Sequence, residues 1–386
     1  MGVMRAEPRR FADLTARSVG TVWRAYDLQL TTYAALLAVI GLVMAYSNSV
    51  GNGGSALDSG SVFSRGLMWA GVAMVVFLIA TAFDYRWLRT LAVPIYIANL
   101  GLLVLTLAVG DGVGGSSRWV SIGPFVFQFS ELAKILTIIS VAAYLSARQG
   151  KLDSLASILG ACLVVGPAWV LVMLQPDLGT SLVFAGILAG MLFLSGASLR
   201  WLLVLGGLVL AVVPIAFTYV LRDYQRDRLT SFLDPNCNVQ DSCWQLFQSQ
   251  IAIGNGGPFG LGLTNGTQNR GEFLPVQETD FVFAILGEEL GFVGGMVVFL
   301  LFAALIWRIL VAAWRSRDPF GTLFGAGLAS MILFQLFVNT GMVMGIMPIT
   351  GIPLPFITHG GASLISLAIG LGILQSMNIR QQRAEW

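Results

Sequence analysis

The chain has 386 residues, of which 56% are hydrophobic and only 11% are charged, and its mean hydropathy is +0.79. Soluble domains carry about 25% charged residues, so this composition excludes an ordinary soluble protein and indicates a polytopic membrane protein. The formal net charge of +2 gives no support to a nucleic-acid-binding function.

Ten stretches of the sequence are long and apolar enough to cross about 30 Å of hydrocarbon as helices. We therefore predict an all-α integral membrane protein with ten transmembrane helices. The predicted membrane domain covers 29–379, and a large loop, 221–280, joins spans seven and eight. The spans fall at 29–49, 66–83, 91–109, 130–147, 156–174, 179–196, 201–220, 281–307, 321–345 and 361–379.

The two ends of the chain are predicted to be cytoplasmic tails, 1–28 and 380–386. The first tail is polar and Arg-bearing and lacks the apolar core of a signal peptide. Most Arg and Lys residues lie on the side that holds both tails, and such an excess marks the cytoplasmic face. The outer face then carries three long segments, 110–130, 221–280 and 346–362, and we expect the function there. We find no paired broken helices of the transporter kind.

The three cysteines fall in two different settings. Cys162 lies in a predicted span and should be an inert buried thiol. Cys237 and Cys243 lie six residues apart in the outer loop, where an oxidising environment favours a disulfide. Two free thiols are the alternative. A metal site is disfavoured because the single histidine, His359, is far away in the sequence.

In EFLPVQETDFVFAILGEELG, residues 272–291, the apolar stretch 281–287 is flanked by four carboxylates, those of Glu278, Asp280, Glu288 and Glu289. Asp280 precedes the apolar run. There Thr279 could cap the helix, and the negative charge of Asp280 in the first turn could simply interact favourably with the helix dipole. Glu288 lies about 12 Å further along the helix, and Glu289 is its neighbour on another face. At that depth, these two acids are expected to pair with a cation or to stay protonated.

Other polar side chains lie at the predicted outer ends of spans, where polar residues are costly and usually functional. Glu131 and Lys134 share a helix face at i and i+3, and beside Arg118 they predict a polar cavity rather than an isolated surface pair. Asp177, in QPDLG, is either a cavity residue or ordinary turn chemistry.

The large outer loop offers two further candidate segments. Arg226 and Arg228 lie in an amphipathic stretch, 224–235, which could lie in the membrane interface or bind phosphate. The Gly-rich stretch 251–268, which ends at Gln268, lacks the preceding strand and the GK[ST] of a phosphate loop. We interpret it as flexible backbone near a long substrate.

Four fragments of the sequence resemble, in order, the signatures of the SEDS family, which comprises RodA, FtsW and SpoVE. They are RWVSIGPFVFQFSELAK, QPDLGTSLV, FLPVQETDFVFAILGEELGFVG and GIMPITGIPLPFITHGGASL. The resemblance implies a ten-helix SEDS fold in the bacterial plasma membrane and a peptidoglycan glycosyltransferase that polymerises lipid II for cell elongation or division. It implies a class B penicillin-binding protein as the transpeptidase partner. It also implies that Asp280 is the essential acid and that Arg118, Glu131, Lys134 and Asp177 line a polar cavity.

The chain departs from the family pattern at two places. LPVQETDF stands where LPE followed by HTDF is usual, and THGGA replaces SYGGS, which puts His359 in the place of a tyrosine. The central Asp280 is intact, so the implied activity stands. The methionine in NTGMVMG slightly favours a RodA-like member, whereas PITGIPLPFI leans toward FtsW.

The implied reaction assigns a role to each candidate residue. Inverting transfer of a glycan from a lipid pyrophosphate needs one general base, and we assign this role to Asp280. It also needs positive charge to neutralise the leaving pyrophosphate. A divalent cation, Mg²⁺ or Mn²⁺, could assist, and no organic cofactor is expected. The residues expected to bind substrate or pyrophosphate are Arg118, Glu131, Lys134, Asp177, Arg226, Arg228, Arg65 and Gln268. Those expected to support the cavity are Glu288, Glu289, Asn339 and His359.

Two other functions are the alternatives. A lipid II flippase would use the same cavity and the same cations but would need no base at the outer mouth. A membrane scaffold for division or elongation proteins would tolerate loss of every acid in the cavity.

Overall fold

The computed structural model describes residues 26–51, 55–58, 60–110, 118–122, 125–219, 221, 223–233, 243–271 and 279–382. Within these residues the protein is a bundle of long helices, which confirms the predicted all-α membrane class. Nine of the described helices are long and apolar enough to span a membrane, and Leu178–Leu194 is apolar but shorter.

Each of the ten predicted spans corresponds to one long helix. The helices are α1 Leu28–Gly51, α2 Val62–Ala82, α3 Arg86–Thr90, α4 Ala92–Val109, α5 Phe129–Ser146, α6 Leu155–Leu174, α7 Leu178–Leu194, α8 Leu199–Tyr219, α9 Asp223–Leu233, α10 Trp244–Gly256, α11 Thr267–Arg270, α12 Val282–Arg315, α13 Pro319–Val343 and α14 Gly361–Gln382. The strands are β1 Val120–Ile122 and β2 Phe125–Phe127.

The large loop predicted at 221–280 contains helices of its own. Helices α9, α10 and α11 lie within it, and α10 packs against α12 and α13. The predicted tails, 1–28 and 380–386, fall mostly outside the described residues, and α14 continues slightly past the predicted boundary at 379.

A small antiparallel hairpin, which the sequence did not predict, precedes α5. Strand β1 pairs with β2 through Val120 opposite Phe127 and Ile122 opposite Phe125. β-branched and aromatic residues favour such paired strands. The hairpin fixes the path of the chain between Arg118 and the start of α5.

Helices α5, α13 and α14 form the centre of the bundle. In these three helices 72%, 72% and 78% of the membrane-spanning window is buried, whereas none of the window of α8 is buried. Polar side chains on α5 and α13 are therefore enclosed by protein, whereas no described side chain in the window of α8 is buried.

Helix α12 is two helices joined at a break, not one continuous span. Gly291 has a φ of +66°, and a Cβ there would come within 2.2 Å of the Gly260 nitrogen. The loop around Gly260 fills the break. The Leu261 N–H of this loop donates to the Glu288 carbonyl at 2.9 Å. The Phe292 N–H of α12 donates to the Gly257 carbonyl at 2.9 Å. The backbone groups released by the break are thus satisfied within the protein, as backbone at membrane depth requires.

Ion pairs hold the end of the bundle that lies far from Asp280 along α12. Arg308 Nη2 lies 2.5 Å from Asp27 Oδ2, and Arg380 Nε lies 3.6 Å from Asp84 Oδ2. Arg380 also donates to the Thr81 carbonyl at 3.3 Å, one of the last carbonyls of α2. These contacts join α1 to α12 and α2 to α14. A basic group near a helix C-terminus also interacts favourably with the helix dipole.

Candidate active site

Asp280 lies in the turn that leads into α12, and the backbone of this turn is held from two sides. The buried Asn339 of α13 donates through Nδ2 to the carbonyl oxygens of Asp280 at 3.0 Å and Ile352 at 2.8 Å. One residue earlier, the Thr279 carbonyl accepts from Thr358 Oγ1 at 2.9 Å. The turn is therefore tied both to α13 and to the segment that connects α13 with α14.

The electrostatic environment of Asp280 favours a basic carboxylate. Its carboxyl group is enclosed by protein although the residue keeps partial solvent exposure, and this burial raises its pKa above the ordinary value. A hydrogen bond from Thr279 and the charges of Arg118 and Arg228 lower the pKa, and the charge of Asp177 raises it. The net shift is upward, and a carboxylate with a raised pKa is the stronger proton acceptor.

Gly351 permits Asp280 and Arg228 to approach the same backbone. It has a φ of +71°, which favours glycine. A Cβ at this position would lie 3.3 Å from Asp280 Oδ2 and 3.8 Å from Arg228 Nη1. A side chain here would crowd the acid and the cation together.

Asp177 joins helix capping to the charged site. Its Oδ1 accepts from the Thr180 N–H at 3.1 Å, which caps the N-terminus of α7, and its Oδ2 accepts from Gln128 Nε2 at 2.9 Å. Arg118 Nη1 lies 3.7 Å from Asp177 Oδ1. The turn chemistry weighed for Asp177 from the sequence is therefore present, because it caps α7, and Arg118 is its charged neighbour. Its role in a polar cavity stays a prediction.

Arg118, Asp177, Arg228 and Asp280 together form what we name the Asp280 cluster. The Arg118 side chain is 33% exposed, so an incoming ligand can reach it. Its Nε is buried and has no hydrogen-bond partner among the described residues. The cluster thus combines a basic carboxylate with two guanidinium groups, the combination suited to a hydroxyl acceptor and a phosphate leaving group.

Glu131 and Lys134 form a separate buried pair on α5. Lys134 Nζ donates to Glu131 Oε1 at 2.7 Å, and the two side chains are 1% and 4% exposed. Glu131 Oε2 is buried without a partner in the described part of the chain. The structure brings these residues to each other as the i, i+3 spacing predicts, and the Lys134 charge is largely neutralised by its neighbour.

Arg226 and Arg65 are not among the charges that shift the pKa of Asp280. Arg226 Nη2 donates to the Thr218 carbonyl at 2.7 Å, which directs it toward the end of α8. Arg65 and His359 line a cavity between α1, α2 and the start of α14. Of the predicted phosphate-binding arginines, Arg118 and Arg228 are therefore the two that act electrostatically on Asp280.

Glu288 and Glu289 both hold the Gly-rich loop: the N–H groups of Leu261 and Gly262 donate to their backbone carbonyls at 2.9 and 3.0 Å. Glu288 Oε1 accepts from the Thr267 N–H at 2.9 Å and from the Gln268 N–H at 3.2 Å. Glu289 accepts from Ser47 Oγ at 2.6 Å. Gln268 is buried by these contacts, and its Oε1 has no partner among the described residues. The loop predicted to be flexible is thus anchored at both acids.

Sequence reasoning missed three residues of the site. Gln128 donates a hydrogen bond to Asp177, and Thr358 donates one to the Thr279 carbonyl beside Asp280. Gly351 has no side chain and so leaves room for the side chains of Asp280 and Arg228. All three lie inside the fragments that carry the family resemblance. Examining the polar and glycine positions within those fragments would have found them.

The predicted disulfide is only partly within the described chain. Cys243 is disulfide-bonded and Cys162 is a free thiol. Cys237 lies outside the described residues, so its pairing with Cys243 stays a prediction.

Comparison with known families matches almost the entire chain. The family of cell cycle proteins that groups FtsW, RodA and SpoVE matches residues 27–384. Stage V sporulation protein E of Bacillus subtilis is 36% identical over 356 residues, which cover 91% of this chain and 96% of that protein. The peptidoglycan glycosyltransferase MrdB of Escherichia coli is 37% identical over 364 residues, which cover 94% of this chain and 96% of MrdB.

Solved structures agree with these relatives. A chain from a structure described as a peptidoglycan synthase complex that coordinates polymerization and crosslinking matches with a TM-score of 0.78 and 31% identity, over 92% of this chain and 98% of that chain. The rod shape determining protein RodA of Thermus thermophilus matches with a TM-score of 0.67 and 29% identity, over 94% of this chain and 98% of RodA.

Proposed function

The chain belongs to the FtsW, RodA and SpoVE family of cell cycle proteins, and from this premise we propose that it is a peptidoglycan glycosyltransferase. Its substrate would be lipid II, polymerised into glycan strands at the outer face of the bacterial plasma membrane. The observation that carries the proposal is the Asp280 cluster, in which a carboxylate of raised pKa lies under the influence of two arginines.

The proposed reaction is a single inverting displacement. The 4-hydroxyl oxygen of one lipid II attacks the anomeric carbon of the growing lipid-linked chain while the bond from that carbon to the pyrophosphate oxygen breaks. Asp280 accepts the hydroxyl proton as the new glycosidic bond forms, and undecaprenyl pyrophosphate leaves. An α-linked donor gives a β-linked product in this one step, so a single base suffices.

Charge neutralisation of the leaving group falls to Arg118 and Arg228 in this proposal. Pyrophosphate is a good leaving group and gains more from cations than from a proton. Guanidinium groups present paired N–H donors that match phosphate oxygens. Lys134 contributes less because Glu131 already neutralises it at 2.7 Å.

A divalent cation would enter with the substrate phosphates. The described residues contain no group of three or more His, Cys, Asp or Glu side chains able to hold a metal, whereas magnesium commonly uses one or two carboxylates plus phosphate oxygens. When bound with those phosphates, Mg²⁺ or Mn²⁺ would supply further charge neutralisation. None of the steps above depends on it.

The proposed partner is a class B penicillin-binding protein, which would crosslink the glycan as it forms. The similarity to a chain of a peptidoglycan synthase complex supports this assignment. Both termini would then be cytoplasmic, because lipid II polymerisation and crosslinking take place on the outer face, where the Asp280 end of the bundle would lie.

The test of this function is polymerisation of labelled lipid II by the purified full-length chain with its partner in liposomes, with lipid II translocation measured in parallel. Long glycan products are expected. Translocation without any polymer would contradict the proposal and leave a lipid II flippase as the function.

A further inference from the structure

The segment that connects α13 with α14 contains a tight turn, residues 354–358, which we name the Phe356 turn. The Thr358 N–H donates to the Leu354 carbonyl at 3.0 Å, and the Leu354 N–H donates back to Thr358 Oγ1 at 2.8 Å. Phe356, between them, has a φ of +64°, a left-handed conformation that is unfavourable for a bulky L residue. Such a conformation persists only where the surrounding structure holds it.

Helix α1 holds this turn at Gly41. A Cβ on Gly41 would come within 2.6 Å of the Phe356 carbonyl oxygen and 2.9 Å of Ile357 Cα. Both are backbone atoms, which cannot rotate away as the end of a side chain can, so any larger residue at position 41 must displace the turn. Glycine is the poorest helix former after proline, and Gly41 is buried inside α1. This glycine is therefore explained by the close approach of the turn.

The same segment is held on its other sides by α7 and α13. A Cβ on Gly179 of α7 would come within 2.5 Å of the Thr350 carbonyl oxygen. From α13, Asn339 donates to the Ile352 carbonyl at 2.8 Å. The segment is thus enclosed by three helices, and displacement of the Phe356 turn by α1 cannot be absorbed by a general shift of the segment.

The Phe356 turn reaches Asp280 through one hydroxyl group. Thr358 Oγ1 accepts the Leu354 N–H and donates to the Thr279 carbonyl at 2.9 Å. A hydroxyl has a single proton, and acceptance from Leu354 leaves this proton to point at Thr279. The Thr279 carbonyl belongs to the peptide that joins it to Asp280. The position of Thr358 in the turn therefore sets the orientation of the backbone that carries the acid.

We propose that Gly41 and Phe356 are positioning residues for Asp280. Gly41 lets α1 press on the backbone of the turn, and Phe356 sets that backbone in its left-handed conformation. Thr358 then passes this geometry to the peptide before the acid. The catalytic consequence rests on the proposed function, whereas the coupling of α1 to the turn before α12 does not.

The first measurement is the steady-state kinetics of lipid II polymerisation by the full-length chain with its partner. Gly41→Ala should lower kcat at least about tenfold with KM close to that of wild type, since small displacements of a catalytic group are costly. The matched control is Gly295→Ala, also buried in a long apolar helix, where a Cβ would meet only Phe283 Cζ at 3.8 Å. Adding Thr358→Val to Gly41→Ala should lower kcat little further, because both act through the same hydrogen bond.

A pair of Phe356 variants separates backbone conformation from packing. Phe356 is only 8% exposed, so both variants lose buried surface. Phe356→Gly accepts a positive φ, whereas the β-branched Phe356→Val resists it. We expect Phe356→Val to have the lower kcat, although valine keeps more of the apolar side chain. A residue needed for packing alone would give the opposite order, and this pair decides the question even if Gly41→Ala does not fold.

Amide hydrogen exchange on the same samples reports the coupling without turnover. Gly41→Ala should raise exchange at least about tenfold in the peptides that cover 354–358 and 279–285, and Gly295→Ala should leave both at the wild-type rate. Wild-type exchange in Gly41→Ala, or faster exchange with wild-type kcat, would overturn the proposal, as would a higher kcat in Phe356→Val than in Phe356→Gly. Absence of glycan from wild type would instead count against the proposed function, and the exchange rates would still decide the coupling.

Discussion

Asn339 positions Asp280 without reaching the reacting atoms, because its buried amide bridges the Asp280 and Ile352 carbonyls. Asn339→Ala removes both donors, and we expect kcat to fall by about 10- to 100-fold with little change in KM, since small displacements of a catalytic group are costly. Thr358→Val should act in the same direction because it releases the neighbouring Thr279 carbonyl.

A matched control for this prediction lies one residue along α13. Thr340 is also buried, but its Oγ1 donates at 2.8 Å to the Leu336 carbonyl of its own helix. Thr340→Val should leave kcat close to that of wild type. Equal kcat values for Asn339→Ala and Thr340→Val would refute the positioning role.

The pH dependence of catalysis follows from the charges around Asp280. A base must be deprotonated, so kcat/KM falls as the pH drops through its pKa, and because this pKa is raised the acid limb lies above the ordinary aspartate value of about 3.9. Arg228→Gln removes a charge that lowers the pKa and should move the limb to higher pH. Asp177→Asn removes a charge that raises it and should move the limb to lower pH.

The measurement is the pH profile of kcat/KM for lipid II polymerisation, read from the position of the limb rather than its height. Arg270→Gln, at an exposed site that is not among the charges acting on Asp280, should leave the limb in place. Shifts of the two cluster variants in the same direction would show that Asp280 is not the titrating group.

At the scale of elements, the break in α12 depends on Glu288 as an acceptor of hydrogen bonds. Its Oε1 takes the N–H groups of Thr267 and Gln268. Glu288→Gln keeps an oxygen at this position, so we expect nearly wild-type kcat/KM. Glu288→Ala leaves buried N–H groups unpaired, at about 1–3 kcal/mol each, and should lower the thermal midpoint and raise KM through Gln268.

This pair of variants separates two interpretations of a buried acid. If the Glu288 charge served to neutralise a cation, which is one of the two alternatives left open by the sequence, Glu288→Gln would be as harmful as Glu288→Ala. Thermal unfolding in detergent, followed by the KM for lipid II, distinguishes the two results.

The Glu131–Lys134 pair on α5 should behave as one unit. Removing one partner of a buried ion pair leaves an uncompensated charge and costs about 3–5 kcal/mol. Glu131→Gln and Lys134→Met should each lower the thermal midpoint, and the double variant should recover most of the loss. Strictly additive losses in the double-mutant cycle would contradict a closed pair. Recovered stability without recovered polymerisation would assign Lys134 a part in substrate binding as well.

At the scale of the whole molecule, hydrophobic length alone predicted the ten long apolar helices, because the cost of exposing backbone and charge to hydrocarbon leaves few alternatives. Nine of the described helices are long and apolar enough to span a membrane, and Leu178–Leu194 is shorter. The predicted i, i+3 contact of Glu131 with Lys134 also follows from local helix geometry. The break at Gly291 could not be derived in this way, because its cause is a loop from elsewhere in the sequence that packs into the helix.

The sequence alone was enough to predict which residues belong to the site, but not which of them contact each other. Asp280, Arg118 and Asp177 stood out from their motifs and the structure places them in one cluster. Sequence spacing gave no means of separating Arg65 from Arg228, because which arginine faces the acid depends on how α2 and α9 pack. Tertiary packing also turned the Gly-rich loop from an expected flexible segment into one anchored by two acids.

The central claim is that Asp280 accepts the proton of the attacking hydroxyl. The most direct measurement is lipid II polymerisation by wild type and Asp280→Asn, each purified with its penicillin-binding partner, with lipid II binding measured on the same samples. The account predicts long glycan from wild type, and from the variant similar binding of lipid II with a polymerisation rate lower by at least about 100-fold. Polymerisation by a correctly folded Asp280→Asn variant at the wild-type rate would contradict it.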